Sequence, residues 1–209
     1  MLRLLIVILL TGAVHASACI HCAYSSALIG AAAVAGAPIA GDPSFTAPKT
    51  AKAVVDLKNA TVRYDASTWK LLTDETSNEA IDANFEHVDG NVRAIALSLR
   101  DFIPIDEFIE SFISGMSEDA PDTKLVSRRQ VTVNGVSMTE ITVDMVTPDA
   151  PIRYHGFVHS GPKGVCLVLG LCHRDLFADV TTIINSLASG LTVASSTPAP
   201  TTTTKKKKK

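Results

Sequence analysis

The chain has 209 residues, 46% of them hydrophobic, 19% charged and 5% aromatic, with four Cys and a formal net charge of −2. That length suits one domain with tails, and the apolar fraction is enough to fill a real core. The same figures exclude wholesale disorder, a multi-span membrane protein and a disulfide-dense scaffold.

Met1-Leu2-Arg3 is a short basic start, and the apolar run from Leu4 to Val14 falls short of the roughly 20 residues a bilayer span requires. With Ala16-Ser17-Ala18 as a small-x-small cleavage site, residues 1–18 read as a secretory signal and Cys19 as the first mature residue. Ala16-Ser17-Ala18-Cys19 also resembles a bacterial lipobox, with Ala16 where Leu is usual. Plain secretion is the first reading, and Cys19 as a lipidation site is the alternative. Residues 19–48, rich in Ala, Gly and Pro, read as a tether, since Gly and Pro weaken any helix there. Residues 192–209, a Ser/Thr/Pro stretch ending in Lys205 to Lys209, have nothing to bury and read as a disordered tail.

The folded unit is expected between Lys49 and Leu191. That stretch holds 13 Lys plus Arg against 20 Asp plus Glu, a net of −7. An acidic body argues against a nucleic-acid partner, because phosphate binding relies on a basic footprint. The five lysines Lys205, Lys206, Lys207, Lys208 and Lys209 form a candidate surface-binding tail for an anionic envelope surface.

Within the body, Val54 to Leu57 and Ala60 to Tyr64 are β-leaning runs around a Lys58-Asn59 turn, where the sheet is expected to start. Trp69 to Leu72 follows as a strand. Asn84 to Val88 and Asn91 to Leu99 flank Asp89-Gly90, a pair that favours a type I′ hairpin. The period then changes: Ile105, Phe108, Ile109, Phe112, Ile113 and Met116 mark one face of a helix from Ile105 to Met116. Pro104 opens it, and Asp106, Glu107 and Glu110 suit the positive end of its dipole.

Lys124 to Val133, Asn134-Gly135 and Val136 to Val146 form the clearest hairpin in the chain. A two-residue turn pairs Val133 with Val136, Val131 with Met138 and Arg129 with Glu140. The last pair is expected to be an exposed ion pair that supports register. Ile152 to Ser160 and Val165 to Cys172, around Gly161 to Gly164, make a third hairpin whose Leu167, Leu169 and Leu171 share one face and should lie under a helix. A closing helix from Asp175 to Ala188 carries Leu176, Val180, Ile183, Ile184 and Leu187 on one stripe, with Gly190 just beyond.

Trp69, the helix through Phe108 and Phe112, Val131-Thr132-Val133-Asn134-Gly135 and the segment Phe177 to Leu187 together resemble the Mog1/PsbP-like superfamily. That superfamily includes the exported DcrB-related and LpqN-like bacterial lipoproteins, and the resemblance runs from Thr61 to Leu191. It implies an α+β fold, an antiparallel β-sheet packed between helices, and a non-catalytic accessory, binding or assembly role. No site motif of the superfamily maps onto particular residues here, and likeness of fold says little about function.

The residues that invite chemistry are few. Cys19-Ile20-His21-Cys22 is a possible thiol pair or half a metal site, but Ala23 stands where haem attachment would need His. Cys166 and Cys172 fall about 20 Å apart on one straight strand, so they should be buried free thiols. Across the third hairpin His159 faces Cys166, yet His155 and His159 lie about 13 Å apart along their strand, too far to share an ion. No phosphate loop, hydrolase elbow or EF-hand loop occurs. The expectation is a non-enzymatic, exported, lipid-anchored or secreted module without cofactor or metal, whose partner is an envelope protein or surface. The rival is a small envelope enzyme using His155, His159 or Asp175 in a pocket, or a thiol or metal protein using Cys19 and Cys22.

Overall fold

Among the described residues, alternating apolar residues produce eleven strands, and two runs with helical period produce the helices. The computed structural model describes residues 42–73 and 81–193. The strands are β1 (Ser44–Phe45), β2 (Ala53–Asp56), β3 (Ala60–Tyr64), β4 (Trp69–Leu72), β5 (Ala83–His87), β6 (Val92–Leu99), β7 (Lys124–Val133), β8 (Val136–Val146), β9 (Pro151–Gly161), β10 (Gly164–His173) and β11 (Leu191–Val193). Helix α1 spans Ile105–Asp119, and α2 spans Phe177–Ala188 behind a 3₁₀ turn at Arg174–Leu176.

Eight strands form one sheet in the order β1-β7-β8-β9-β10-β6-β5-β4, and β11-β3-β2 form a second. Among the described residues only the β1–β7 pair is parallel. Helix α1 covers one face of the large sheet: Phe108, Ile109, Phe112 and Met116 share a core with Leu97, Ile141, Tyr154, Leu167 and Leu169. Helix α2 and the small sheet cover the other face, where Val62, Leu187 and Ile184 pack with Val131, Met138, Phe157 and Val168. The period-2 alternation of β8, β9 and β10 feeds both cores at once, because neighbouring side chains point to opposite faces. The expected α+β architecture, a sheet between helices, is the one observed.

The two later hairpins adopt the expected register. Val133 pairs with Val136, Arg129 with Glu140, His159 with Cys166 and Arg153 with Cys172. Asn134 has φ 49° and Gly135 φ 80°, as a two-residue type I′ turn demands.

Several expectations need correction. The strands β2 and β3 do not start the large sheet; they pair with β11 in the small one, because the chain returns after α2 to supply a partner. Ser44 and Phe45, expected in the tether, lie beside Thr132 and Val133, and the Phe45 ring packs 4.8 Å from that of Phe157. Asp89-Gly90 is not a type I′ turn, since of the two only Gly90 has positive φ; the loop runs from Val88 to Asn91 and keeps the pairing of Glu86 with Arg93. Helix α1 continues a turn past Met116 to Asp119 before Ala120 turns extended. The closing helix starts later than Asp175, which lies in the 3₁₀ turn.

Candidate functional site

Strand β8 reads Glu140-Ile141-Thr142-Val143-Asp144-Met145. Such alternation normally places one apolar face on a core and one polar face in water. Here Ile141, Val143 and Met145 enter the α1 core, but Glu140, Thr142 and Asp144 are buried as well. They lie on the α2 side beside Arg153 and His155 of β9, which pair directly with Asp144 and Thr142. The side chains of Phe177 and Asn185 on α2 come down onto this row.

His155 is the centre of the row. Its Nδ1 lies 3.0 Å from Thr142 Oγ1 and its Nε2 3.0 Å from Asn185 Oδ1, while Glu140 Oε1 is 3.4 Å from Nε2. A neutral ring with its hydrogen on Nε2 fits both hydrogen bonds: it donates to Asn185 Oδ1 and accepts from the Thr142 hydroxyl, with the Glu140 carboxylate beside the N–H. The Phe177 ring meets it edge-on at 5.2 Å. Burial holds the His155 pKa below its usual 6.5, against the pull of the Glu140 carboxylate and the Asn185 bond. A carboxylate, a histidine and a hydroxyl in contact have the makings of an acid–base relay, but here every ring nitrogen is engaged and α2 closes over the group. The arrangement serves as a structural clasp between β8, β9 and α2.

Two arginines complete the row. Arg153 grips Asp144 through Nε and Nη2 at 2.6 and 2.8 Å, and its guanidinium lies 4.9 Å from the Phe177 ring centroid. The hydrogen bond from Arg153 holds the Asp144 carboxyl below the usual carboxylate range and raises the guanidinium pKa in turn. Arg129 Nε donates to Glu140. The Arg129–Glu140 pair was expected to be exposed; Glu140 is in fact buried at 4%, because Arg129 and His155 of the neighbouring strands lie against its carboxylate, and of the pair only the arginine reaches solvent.

The sequence-derived candidates do not converge. His159 points its Nδ1 at the Ser137 carbonyl, 3.2 Å away, and takes no part in the clasp. Asp175 is exposed, 3.8 Å from His173 Nδ1, which also accepts from the Asp175 amide. Cys166 and Cys172 are buried free thiols, and burial pushes them up to about 12 and about 11. Among the described residues no group of three His, Cys, Asp or Glu side chains is placed to hold a metal ion. Cys19, Cys22 and Lys205 to Lys209 lie outside the described residues. Thr142, Asp144 and Asn185 were missed from the sequence, and Glu140 was read only as a register pair for Arg129. Their only signal was polar alternation, which an exposed strand face produces equally well.

Taken together, the chain forms an α+β domain in which an antiparallel sheet is sealed on both faces. No family model and no curated protein matches it. Among solved structures it is similar to cyanobacterial PsbP (CyanoP) from Synechocystis sp. PCC 6803, at 12% identity over 65% of this chain and 87% of that one, with a TM-score of 0.47. It is also similar to PA94 of Pseudomonas aeruginosa, a putative regulator of unknown function, at 9% identity over 71% and 98% of the two chains, TM-score 0.42. LpqN of Mycobacterium tuberculosis, described as involved in cell envelope biogenesis, matches at 16% identity over 61% and 79%, TM-score 0.41. At these values the likeness concerns the course of the backbone and transfers no residue and no activity.

Proposed function

We propose that this protein is an exported, non-enzymatic binding or accessory module of the cell envelope, either secreted or held at the membrane through a lipid on Cys19. The separation of its candidate groups carries the non-catalytic part of this reading. His155, His159 and Asp175 each serve a different local structure, and the most enzyme-like cluster is shut beneath α2. Export rests on the basic start, the short apolar run and the Ala16-Ser17-Ala18-Cys19 junction. The lysines Lys205 to Lys209 add an attraction of about 1 kcal/mol each near an anionic surface. The partner is therefore an envelope protein or an anionic surface, not nucleic acid.

The test is intact mass of the protein from the membrane and soluble fractions of its native host. A chain that starts at Cys19 and carries acyl mass supports the anchored module. An unmodified start at Cys19 in the soluble fraction replaces it with a secreted domain and makes Cys22 the next residue to mutate. A chain that retains Met1 in the cytoplasm overturns export altogether.

A further inference from the structure

Strand β7 is ten residues long, but among the described residues only its last two, Thr132 and Val133, have a neighbour on the outer side. That neighbour, β1, is two residues long. Pro43 gives its carbonyl to the Thr132 amide at 2.9 Å yet has no N–H to offer in return, and the backbone bends at Asp42. Lys124 to Gln130 are all exposed. In the β7–β8 hairpin the odd residues Val133, Val131 and Arg129 exchange bonds with β8, as a two-residue turn dictates. The amides and carbonyls of Gln130 and Arg128 therefore point outward, in line with that of Thr132. A register shift between Leu125 and Ser127 ends the regular edge on the other side.

The side chains along this edge are selective. From Lys124 to Thr139 the chain has no acidic residue and carries Lys124, Arg128 and Arg129, on a body that is otherwise acidic. Arg129 uses Nε for Glu140 and Arg128 uses Nη2 for Asp106. Each guanidinium has five N–H donors, so both keep unspent donors for a second carboxylate. Arg128 lies on the α1 face and Arg129 on the α2 face, since their partners Asp106 and Glu140 do. Leu125 and Val126, exposed at 40% and 46%, follow at the bulged end.

We propose that the Lys124–Val131 edge is a docking site for an extended, acidic segment of a partner protein, added to the sheet as a further strand. Backbone bonds to Arg128 and Gln130 supply the pairing. Consecutive acidic side chains, one on each face, meet Arg128 and Arg129, and an aliphatic residue next to them covers Leu125 and Val126. A second copy of this chain fits worse, because antiparallel self-pairing brings arginine to arginine, and like charges opposite one another destabilise a sheet. The inference rests on the reading as a binding module and supplies its surface.

The test uses the full chain, isotope-labelled, titrated with a synthetic peptide Thr-Val-Asp-Glu-Val-Thr-Val capped at both ends, and with its Lys-for-Asp and Lys-for-Glu counterpart. The acidic peptide is expected to shift the Arg128 and Gln130 amide resonances and slow their exchange, and the basic one to leave them unchanged. Gln130→Pro removes one outward N–H without touching the β8 ladder, and should weaken binding at least about tenfold. Arg128→Gln should weaken it and flatten its salt dependence. The inference is overturned if millimolar acidic peptide leaves these amides unmoved, if the basic peptide binds as well, or if Gln130→Pro binds normally. It is also overturned if protection grows with protein concentration alone, which assigns the edge to a second copy. Failure here removes the docking edge and leaves the export reading to its own mass measurement.

Discussion

His155 shows how one residue sets a pH response. Unfolded, its ring takes a proton near pH 6.5; folded, burial lowers that pKa. As pH falls below about 6.5 the unfolded chain binds more protons than the folded one, so stability is lost, and it is fully present above that value. The groups facing the ring are Glu140, Thr142 and Asn185, with Arg129 and Arg153 beyond them. The melting temperature should therefore drop between pH 7 and pH 5, and His155→Gln, which keeps an amide donor and acceptor but does not titrate, should flatten the drop. An equal slope in both proteins would refute this. Asp144, whose pKa the Arg153 bond depresses, acts in a separate window: its contribution is present above the ordinary carboxylate range and lost as pH falls through its lowered value. The buried thiols offer a second check at this scale. With pKa values raised to about 12 and about 11, Cys166 and Cys172 should resist a maleimide at pH 7 in the native protein and react once it is unfolded, as mass mapping of the labelled peptides would show.

At the scale of elements, Asn134 does two jobs, and the sequence revealed one. Its backbone makes the turn, while its side-chain amide donates to the Ser189 and Leu191 carbonyls at 2.8 and 2.9 Å and its Oδ1 accepts from Ala47 at 3.1 Å. The β7–β8 turn is thus stitched to the end of α2 and to the segment after β1. Asn134→Asp preserves a turn-forming residue but cannot donate, so it should cost about 1–3 kcal/mol in denaturant unfolding; a loss no larger than that of a surface mutation would mean the stitch is idle. Gly170 does similar work without hydrogen bonds. A Cβ there would stand 2.6 Å from Ile184 Cγ2, so the glycine is what lets α2 settle onto β10. Gly170→Ala should destabilise by about 1–3 kcal/mol through overpacking, and combined with Ile184→Ala, which removes the Cγ1 and Cγ2 atoms a Cβ would meet, it should cost less than the two single changes added together.

Across the whole molecule, the large sheet is shared by two cores, one under α1 and one under α2 with the small sheet. Because each strand of β8, β9 and β10 contributes to both, the cores are expected to melt together. Met116→Ala in the first and Ile184→Ala in the second should each cost about 2–5 kcal/mol. Tryptophan fluorescence and far-ultraviolet dichroism should then report one coincident transition in both variants. Two transitions would show that the layers are independent.

The sequence by itself determined the hairpins and the helices. Asn134-Gly135 can turn only one way, antiparallel partners keep a constant index sum, and period-2 and period-3.6 patterns are local. So the pairing of Arg129 with Glu140, the facing of His159 and Cys166, and the leucine face of β10 under a helix were all legible in advance. The Asp89-Gly90 loop escaped because the same dipeptide suits more than one turn, and the strand register cannot distinguish between them. What only the tertiary structure decided is what lies across each face and edge. The return of the chain after α2 made β2 and β3 a separate sheet. The descent of α2 onto β9 and β10 turned an ordinary polar face into a buried clasp of Glu140, Thr142, His155 and Asn185, and among the described residues β1 pairs only with the end of β7. Local patterns record which residues share a face; they hold no record of which distant segment comes to cover it, because that is settled by burial contacts between residues far apart in the chain.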